Sequence, residues 1–139
     1  MKNTFLGVIG VFGSIIAGAL GGFDASVVTL LTCMAIDYVS GLVVAGVFHA
    51  SKKTASGTLE SRAGWKGLCK KIMTLLFVII ANRLDIQMGT SYIRDGVCIA
   101  FIANEVLSII ENAGLMGVPI PAIITKAIHI LQEKEEQGG

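Results

Sequence analysis

Two long apolar runs near the start of the sequence restrict most strongly how this chain can fold. The first extends from Thr4 to Gly22, and the second, Val27 to Phe48, is interrupted by one charged residue, Asp37. As α-helices the two runs would be about 28 and 33 Å long, which matches the hydrocarbon thickness of a bilayer. We therefore predict an integral membrane protein of the all-α class.

Two further runs, Ile72 to Met88 and Tyr92 to Ile110, are predicted as additional spans. The third run is the weakest, because polar and charged residues interrupt its second half. The four spans would form two hairpins. In a three-span version, the first run lies in the membrane interface or is cleaved as a signal peptide, since Ala17-Gly18-Ala19 resembles a cleavage site.

A short amphipathic helix is predicted over residues 121–134, after a Gly/Pro-rich break. Its apolar residues recur at helical spacing on one face: Ile123, Ile124, Ala127, Ile128 and Leu131. The segment is too short to cross a membrane. We expect it to lie on the membrane surface or against a partner.

The composition excludes a separate soluble catalytic domain. Of 139 residues, 53% are hydrophobic and 15% are charged, whereas soluble domains have about 45–50% apolar and about 25% charged residues. Four spans would use more than half of the chain. We therefore expect a single membrane domain over residues 1–139.

Residues 50–71 form a strongly basic loop between the second and third runs. It contains one acidic residue, Glu60, and six basic ones: Lys52, Lys53, Arg62, Lys66, Lys70 and Lys71. Basic loops remain in the cytoplasm under the positive-inside rule. Both termini are then predicted to be cytoplasmic, and contact with lipid headgroups is favoured over binding of nucleic acid.

Small residues recur at steps of four along three of the runs. These ridges contain Gly10, Ser14, Gly18 and Gly22 in the first run, Gly41 and Ala45 in the second, and Gly96 and Ala100 in the fourth. Such ridges let membrane helices approach closely. They predict packing either within one bundle or between copies in a homo-oligomer.

Polar residues inside the apolar runs form the candidate functional site: Asp37, Arg83, Asp85, Asn104, Glu105 and Ser108. Each charge would cost about 3 kcal/mol if it faced lipid at mid-bilayer. The charges must therefore pair, protonate or face water. An ion pair of Arg83 with Asp37 or Glu105, a polar lumen in an assembled ring and a proton relay are the three alternatives.

No catalytic, cofactor-binding or metal-binding motif is recognised. His49 and His129 are solitary, and Cys33, Cys69 and Cys98 form no CxxC pair. The sequence thus predicts a protein that is not an enzyme and that uses no cofactor or metal.

Three motifs resemble the toxin-secretion and phage-lysis holin family, which includes holin-like proteins of phages and clostridial toxin loci. They are Asp-Tyr-x-Ser-Gly at 37–41, Asn-Glu-x-x-Ser-Ile-x-Glu-Asn at 104–112, and Pro-Ile-Pro at 119–121. The resemblance covers Val27 to Leu131. Arg83 departs from it, at a position where an apolar residue is expected more often.

The resemblance implies a small protein of the bacterial cytoplasmic membrane that oligomerises and permeabilises it. An endolysin or a large toxin would then leave the cell as cargo. An antiholin that restrains a holin would look similar. A small ion or proton channel, or a transporter subunit, is the alternative from a different class.

Overall fold

The computed structural model describes residues 1–138, which form five α-helices and no strand. The helices are α1 (Lys2–Ala19), α2 (Ala25–Gly46), α3 (Ser61–Met88), α4 (Ile93–Leu115) and α5 (Ala122–Gly138). This confirms the all-α class. Four of the helices lie within a few residues of the predicted runs.

Helix α3 differs most from its prediction, because it begins eleven residues before the apolar run. The first part of the helix was predicted as loop on account of its charge. Arg62, Lys66 and Lys70 follow each other at steps of four and are exposed, so they share one outer face of the helix. Lysine and arginine are good helix formers, and this polar start therefore continues the apolar helix without a break.

Helices α2, α3 and α4 form the bundle, with α4 at its centre. Helix α4 packs along both α2 and α3, whereas α2 and α3 make few direct contacts with each other. Arg94 pairs with Asp24 at one end, and Asn112 bonds to Asp37 further along. Helix α4 therefore runs parallel to α2. It runs antiparallel to α3, since Lys71 lies against Glu105 and Asp85 lies against Arg94. We call the two ends of the bundle the Asp24 end and the Gly46 end.

The apolar core lies between these three helices. It is formed by buried residues of the α1–α2 turn and of all three bundle helices: Leu20, Val27, Leu30, Met34, Val78, Cys98 and Ile102. Val27 and Leu30 are fully buried, with 0% exposure. Burial of a side chain of this size contributes about 1.5–3 kcal/mol.

Helix α1 lies apart from the bundle. Along its described length none of its residues is buried, and large apolar side chains such as Phe5, Phe12 and Ile15 are more than half exposed. Its attachment lies at its C-terminal end, where Leu20 is buried in the core. The turn that follows requires glycine: Gly21 has a φ of 88°, which disfavours residues with a Cβ.

Helix α5 packs against α4, but with only part of the face predicted for it. Ile128 is buried and Leu131 is half-buried, whereas Ile123 and Ile124 are exposed. The helix also continues to Gly138, beyond the predicted end at residue 134.

Within residues 1–138, two helices, α1 and α2, qualify by length and apolar composition as candidate membrane spans. This is fewer than the three to four spans predicted. Charged side chains, among them Lys71, Asp85, Arg94 and Glu105, reduce the apolar character of α3 and α4. The structure pairs these four side chains with polar partners, as described below.

Candidate functional site

A buried ion cluster joins the three bundle helices near the middle of α2. The ammonium nitrogen of Lys71 in α3 lies 2.7 Å from Asp37 Oδ2 in α2 and 2.7 Å from Glu105 Oε2 in α4. The three side chains are only 14%, 7% and 10% exposed. One cation therefore neutralises carboxylates from two other helices, in a place that excludes most of the solvent.

Asn112 extends this cluster along α4 towards the Gly46 end. Its side-chain amide donates to Asp37 Oδ1 at 3.1 Å, to the Asp37 carbonyl at 3.2 Å and to Ser40 Oγ at 2.8 Å. Within the described part of the chain, every buried side-chain nitrogen or oxygen has a hydrogen-bond partner. The cluster is thus fully satisfied, which is the condition under which buried polar groups are tolerated.

A cavity of about 460 Å³ opens beside the ion cluster, bounded by α2, α3, α4 and the loop that joins α2 to α3. The carboxylates of Asp37 and Glu105 line it, together with Lys71. Tyr38 crosses the same space and donates a 3.2 Å hydrogen bond to the carbonyl of Gly64. The cavity therefore lies where α2 and α3 fail to pack directly.

A second cluster holds the α1–α2 turn against α4 at the Asp24 end. The Arg94 guanidinium donates to Asp24 Oδ2 at 2.7 Å and Oδ1 at 3.0 Å, and to the carbonyls of Leu20 and Gly22. Arg94 is 7% exposed. Its planar fork of donors suits this bidentate geometry.

Asp24 also caps α2, because its Oδ1 accepts a hydrogen bond from the Val27 backbone N–H at 3.1 Å. The hydrogen bonds from Arg94, and then the bond from Val27, lower the pKa of the Asp24 carboxyl to about 2. Both interactions favour the charged carboxylate.

Asp85 caps the start of α4 from the end of α3. Its carboxylate accepts hydrogen bonds from Thr90 Oγ1 at 2.6 Å, the Ile93 N–H at 3.0 Å and the Arg94 N–H at 2.8 Å. Satisfying free N–H groups at a helix start is the usual role of such a residue. One turn before it, Asn82 donates to the carbonyl of Ala19 at 3.2 Å, which adds a further link to the end of α1.

The predicted polar site is only partly brought together. Asp37 and Glu105 meet in the ion cluster, and Ser108 lines the adjoining cavity. Asp85 is buried but lies near the C-terminal end of α3, away from the ion cluster, and Asn104 is exposed, although it borders the cavity.

The proposed pairing of Arg83 with Asp37 or Glu105 is wrong for this structure. Lys71 occupies that position, and Arg83 is exposed. Arg83 follows Lys71 by twelve residues, which places it about 18 Å further along the helix axis.

Sequence reasoning missed the roles of Lys71, Arg94 and Asn112. Lys71 was assigned to lipid headgroups with the five other basic residues, all of which are exposed: Lys52, Lys53, Arg62, Lys66 and Lys70. A signal for Lys71 was present. It precedes Thr74 and Val78 by three and seven residues, which are the spacings of one helix face, and Val78 is buried.

The small-residue ridges separate into two kinds. Gly41 faces the Asn112 amide, with 3.8 Å between a Cβ built there and Nδ2, and Ala45 is buried, so this ridge packs α2 against α4. A Cβ built at Gly10, Gly18, Gly22 or Gly96 would meet no atom within 4 Å among the described residues. Ser14 is exposed, and Ala100 is half-buried.

Comparison with known proteins gives a match to a family model described as the bacteriophage holin family, over residues 14–133. A probable holin of Bacillus phage phi105 is 35% identical over 109 residues, which are 78% of this chain and 75% of the relative. An uncharacterized protein of Listeria innocua is 35% identical over 130 residues, covering 93% of this chain and 86% of the relative.

A third relative is an uncharacterized 14.9 kDa protein in the nagH 3′ region of Clostridium perfringens. It is 31% identical over 125 residues, with 88% of this chain and 89% of the relative covered. No solved structure matches the chain. The matched residues include α2, α3 and α4 in full, and with them both polar clusters. The chain therefore belongs to the bacteriophage holin family, whose proteins are not enzymes.

Proposed function

We propose that the protein is a holin that oligomerises in the bacterial cytoplasmic membrane and permeabilises it. An endolysin, or a large toxin, would leave the cell through the resulting lesion. The observation that carries this proposal is the family match over residues 14–133, together with the phage relative named a probable holin. Two apolar helices of spanning length agree with a membrane location.

The proposed topology has four spans with both termini in the cytoplasm. Helices α3 and α4 would be about 42 and 35 Å long, which is sufficient to cross a bilayer. Their most costly charges, Lys71 and Glu105, are paired inside the bundle, while Leu76, Phe77 and Ile80 are exposed on the outside of α3. Exposed basic residues at the Gly46 end would keep that end in the cytoplasm.

Thiol labelling of whole cells tests this topology. Cysteines introduced by Thr4→Cys and Ser51→Cys, in a background without native cysteines, should both resist a membrane-impermeant maleimide. A cysteine introduced by Ser91→Cys, in the exposed α3–α4 turn, serves as the matched positive control. Labelling of both Thr4→Cys and Ser51→Cys from outside would reject the four-span topology.

In the assembled state we propose that α1 contacts other copies and that α2 and α4 lie nearest the axis of the lesion. No residue of α1 is buried, and its ridge at Gly10 and Gly18 has open space around it. Close helix contacts of this kind are typical of small-residue ridges in membranes. Asp37, Asn104 and Glu105 would then supply polar groups to the lumen.

Expression of the chain alone in a bacterium tests the function. A holin should arrest growth, depolarise the membrane and admit a bulky dye. Glu105→Leu should weaken dye entry while membrane insertion remains intact, because it removes a polar lumen group and leaves the pair of Lys71 with Asp37. Unchanged dye entry in that variant would reject the lumen assignment.

The alternatives predict different outcomes of the same experiment. An antiholin would leave growth and membrane potential unchanged when expressed alone, and would delay lysis by a co-expressed holin. A small ion channel or transporter subunit would give ion-selective currents without entry of a bulky dye. Either result would overturn the proposed permeabilising role.

A further inference from the structure

The contact between α2 and α3 is the weak side of the bundle. Both helices pack along α4, but they contact each other at few places, and the 460 Å³ cavity lies beside them. Two interactions close this side: the hydrogen bond of Tyr38 to Gly64, and the ion pair of Lys71 with Asp37. We call this line of contact the α2–α3 seam.

Lys71 is the stronger of the two closures, because it also reaches α4 through Glu105. Among the ion pairs of the described residues, Lys71 is the partner of both carboxylates. Asp37 keeps a further hydrogen bond from Asn112, but that amide carries no charge. Without Lys71, two buried carboxylates would face each other across the bundle with no cation between them, an arrangement that is strongly unfavourable away from water.

The cavity gives water a short route to the ion cluster of Lys71, Asp37 and Glu105. It borders exposed loop residues Lys52 and Lys53 at one side and reaches Asp37, Lys71 and Glu105 at the other. A lysine side chain is long and flexible and can move its ammonium group along such a cavity. Withdrawal of Lys71 towards the loop would therefore hydrate the carboxylates and separate α2 from α3.

We propose that Lys71 is the positioning residue that holds the α2–α3 seam closed in the resting protomer. Its withdrawal opens the seam and starts the change to the permeabilising assembly; this second step rests on the proposed holin function. The first step concerns the protomer alone and is tested without any measurement of lysis.

Cys33 is a native reporter for opening beside the seam, since it lies in α2 one turn before Asp37, on the same face of the helix, and is partly buried against the core. The test uses membranes that contain the full chain with Cys69→Ser and Cys98→Ala, so that Cys33 is the remaining thiol. The rate of its reaction with a water-soluble maleimide is compared for Lys71→Met, Lys71→Arg and Lys70→Met. Lys70 is the matched control, because it is adjacent in sequence and exposed.

Lys71→Met should raise the Cys33 rate about tenfold or more, because a buried charge without its partner favours local opening. Lys71→Arg, which keeps the charge, should remain near the wild-type rate, and so should Lys70→Met. A second reporter, with Cys98 as the remaining thiol, should change much less. A wild-type Cys33 rate in Lys71→Met, or equal increases at both thiols, would overturn the proposal.

Asp37→Asn covers the case in which Lys71→Met fails to accumulate in the membrane. It weakens the same seam while leaving Lys71 paired one-to-one with Glu105, and it should also raise the Cys33 rate. A rate equal to wild type in Asp37→Asn would overturn the seam assignment.

Dye entry in the same variants separates the two steps. Earlier dye entry in Lys71→Met, with faster Cys33 labelling, supports both. Faster labelling without any dye entry, in wild type or variant, leaves the seam closure supported and rejects the holin function on which the second step rests.

Discussion

Replacement of Arg94 by methionine should release the α1–α2 turn from α4. The change keeps side-chain length but removes the donors to Asp24, Leu20 and Gly22. The Leu20 residue is 1% exposed, and an unsatisfied buried carbonyl costs about 1–3 kcal/mol. The Gly22 carbonyl lies nearer solvent, and the Asp24 side chain is 51% exposed, so their losses are smaller, about 0–1 kcal/mol each.

The mid-points of these three losses sum to about 3 kcal/mol for Arg94→Met. Asp24→Asn is the matched variant: it loses the charge, but an asparagine keeps an acceptor for Arg94 and is a good helix N-cap. It should cost less than about 1 kcal/mol. Arg94→Met is expected to be the more destabilising variant, because it alone removes the hydrogen bonds that Arg94 donates to the carbonyls of Leu20 and Gly22.

Cys98 provides the assay, because it is fully buried one turn after Arg94 in α4. With Cys33→Ala and Cys69→Ser, its rate of reaction with a maleimide in detergent micelles reports local opening of this end. Each 1.4 kcal/mol is a factor of ten, so Arg94→Met should accelerate labelling by about 100-fold. Equal acceleration in Asp24→Asn, or a wild-type rate in Arg94→Met, would refute the reasoning.

Three further predictions concern the ends of the helices and the exposed ridge. The Asp24–Arg94 pair stabilises the protein above the ordinary aspartate pKa near 4, and this contribution should disappear as the pH falls towards about 2; thermal unfolding in micelles should show the loss in wild type and not in Asp24→Asn. Asp85→Ala should lower the stability of the protein by about 1–2 kcal/mol through loss of the α4 cap, measured by the same unfolding assay, whereas exposed Asp95→Ala should have little effect. Gly18→Leu should reduce the yield of cross-linked oligomers without changing membrane insertion, because a side chain there meets nothing within the protomer; Gly13→Leu, off the ridge, is the control, and equal yields for the two would place the contact elsewhere.

Replacement of Gly41 by leucine is expected to have a different effect from replacement of Gly18, for a structural reason. Both positions belong to ridges that the sequence alone describes in the same way. Gly41 lies against Asn112 of α4, so Gly41→Leu should disturb the protomer itself. The distinction between packing within a chain and packing between chains requires knowledge of which helix faces which.

The secondary structure was largely predictable from the sequence. Long apolar runs separated by glycine-rich or charged segments form helices in a bilayer, because each helix satisfies its own backbone hydrogen bonds. The α1–α2 turn and the short α3–α4 connection lie at or close to the boundaries between the predicted apolar runs. The basic composition of residues 61–71 predicts a loop, but lysine and arginine are good helix formers, so α3 begins earlier than predicted.

For the polar site, the sequence predicted only that the charged residues need partners, and not which partners they have. The sequence determined that Asp37 and Glu105, inside apolar helices, must find partners, because unpaired charges are costly there. It did not determine that Lys71 is the partner and Arg83 is not.

Which cation pairs with Asp37 and Glu105 depends on the rotation and axial position of three helices. Asp37 and Glu105 each lie 34 residues from Lys71 in the sequence, and both meet it in the folded bundle. The spacing of Lys71 from Val78 indicates which face of α3 is buried, but only the packing of the three helices sets their relative rotation and axial position. The tertiary structure therefore decided which charges meet, which ridge is exposed and where the bundle is weakest.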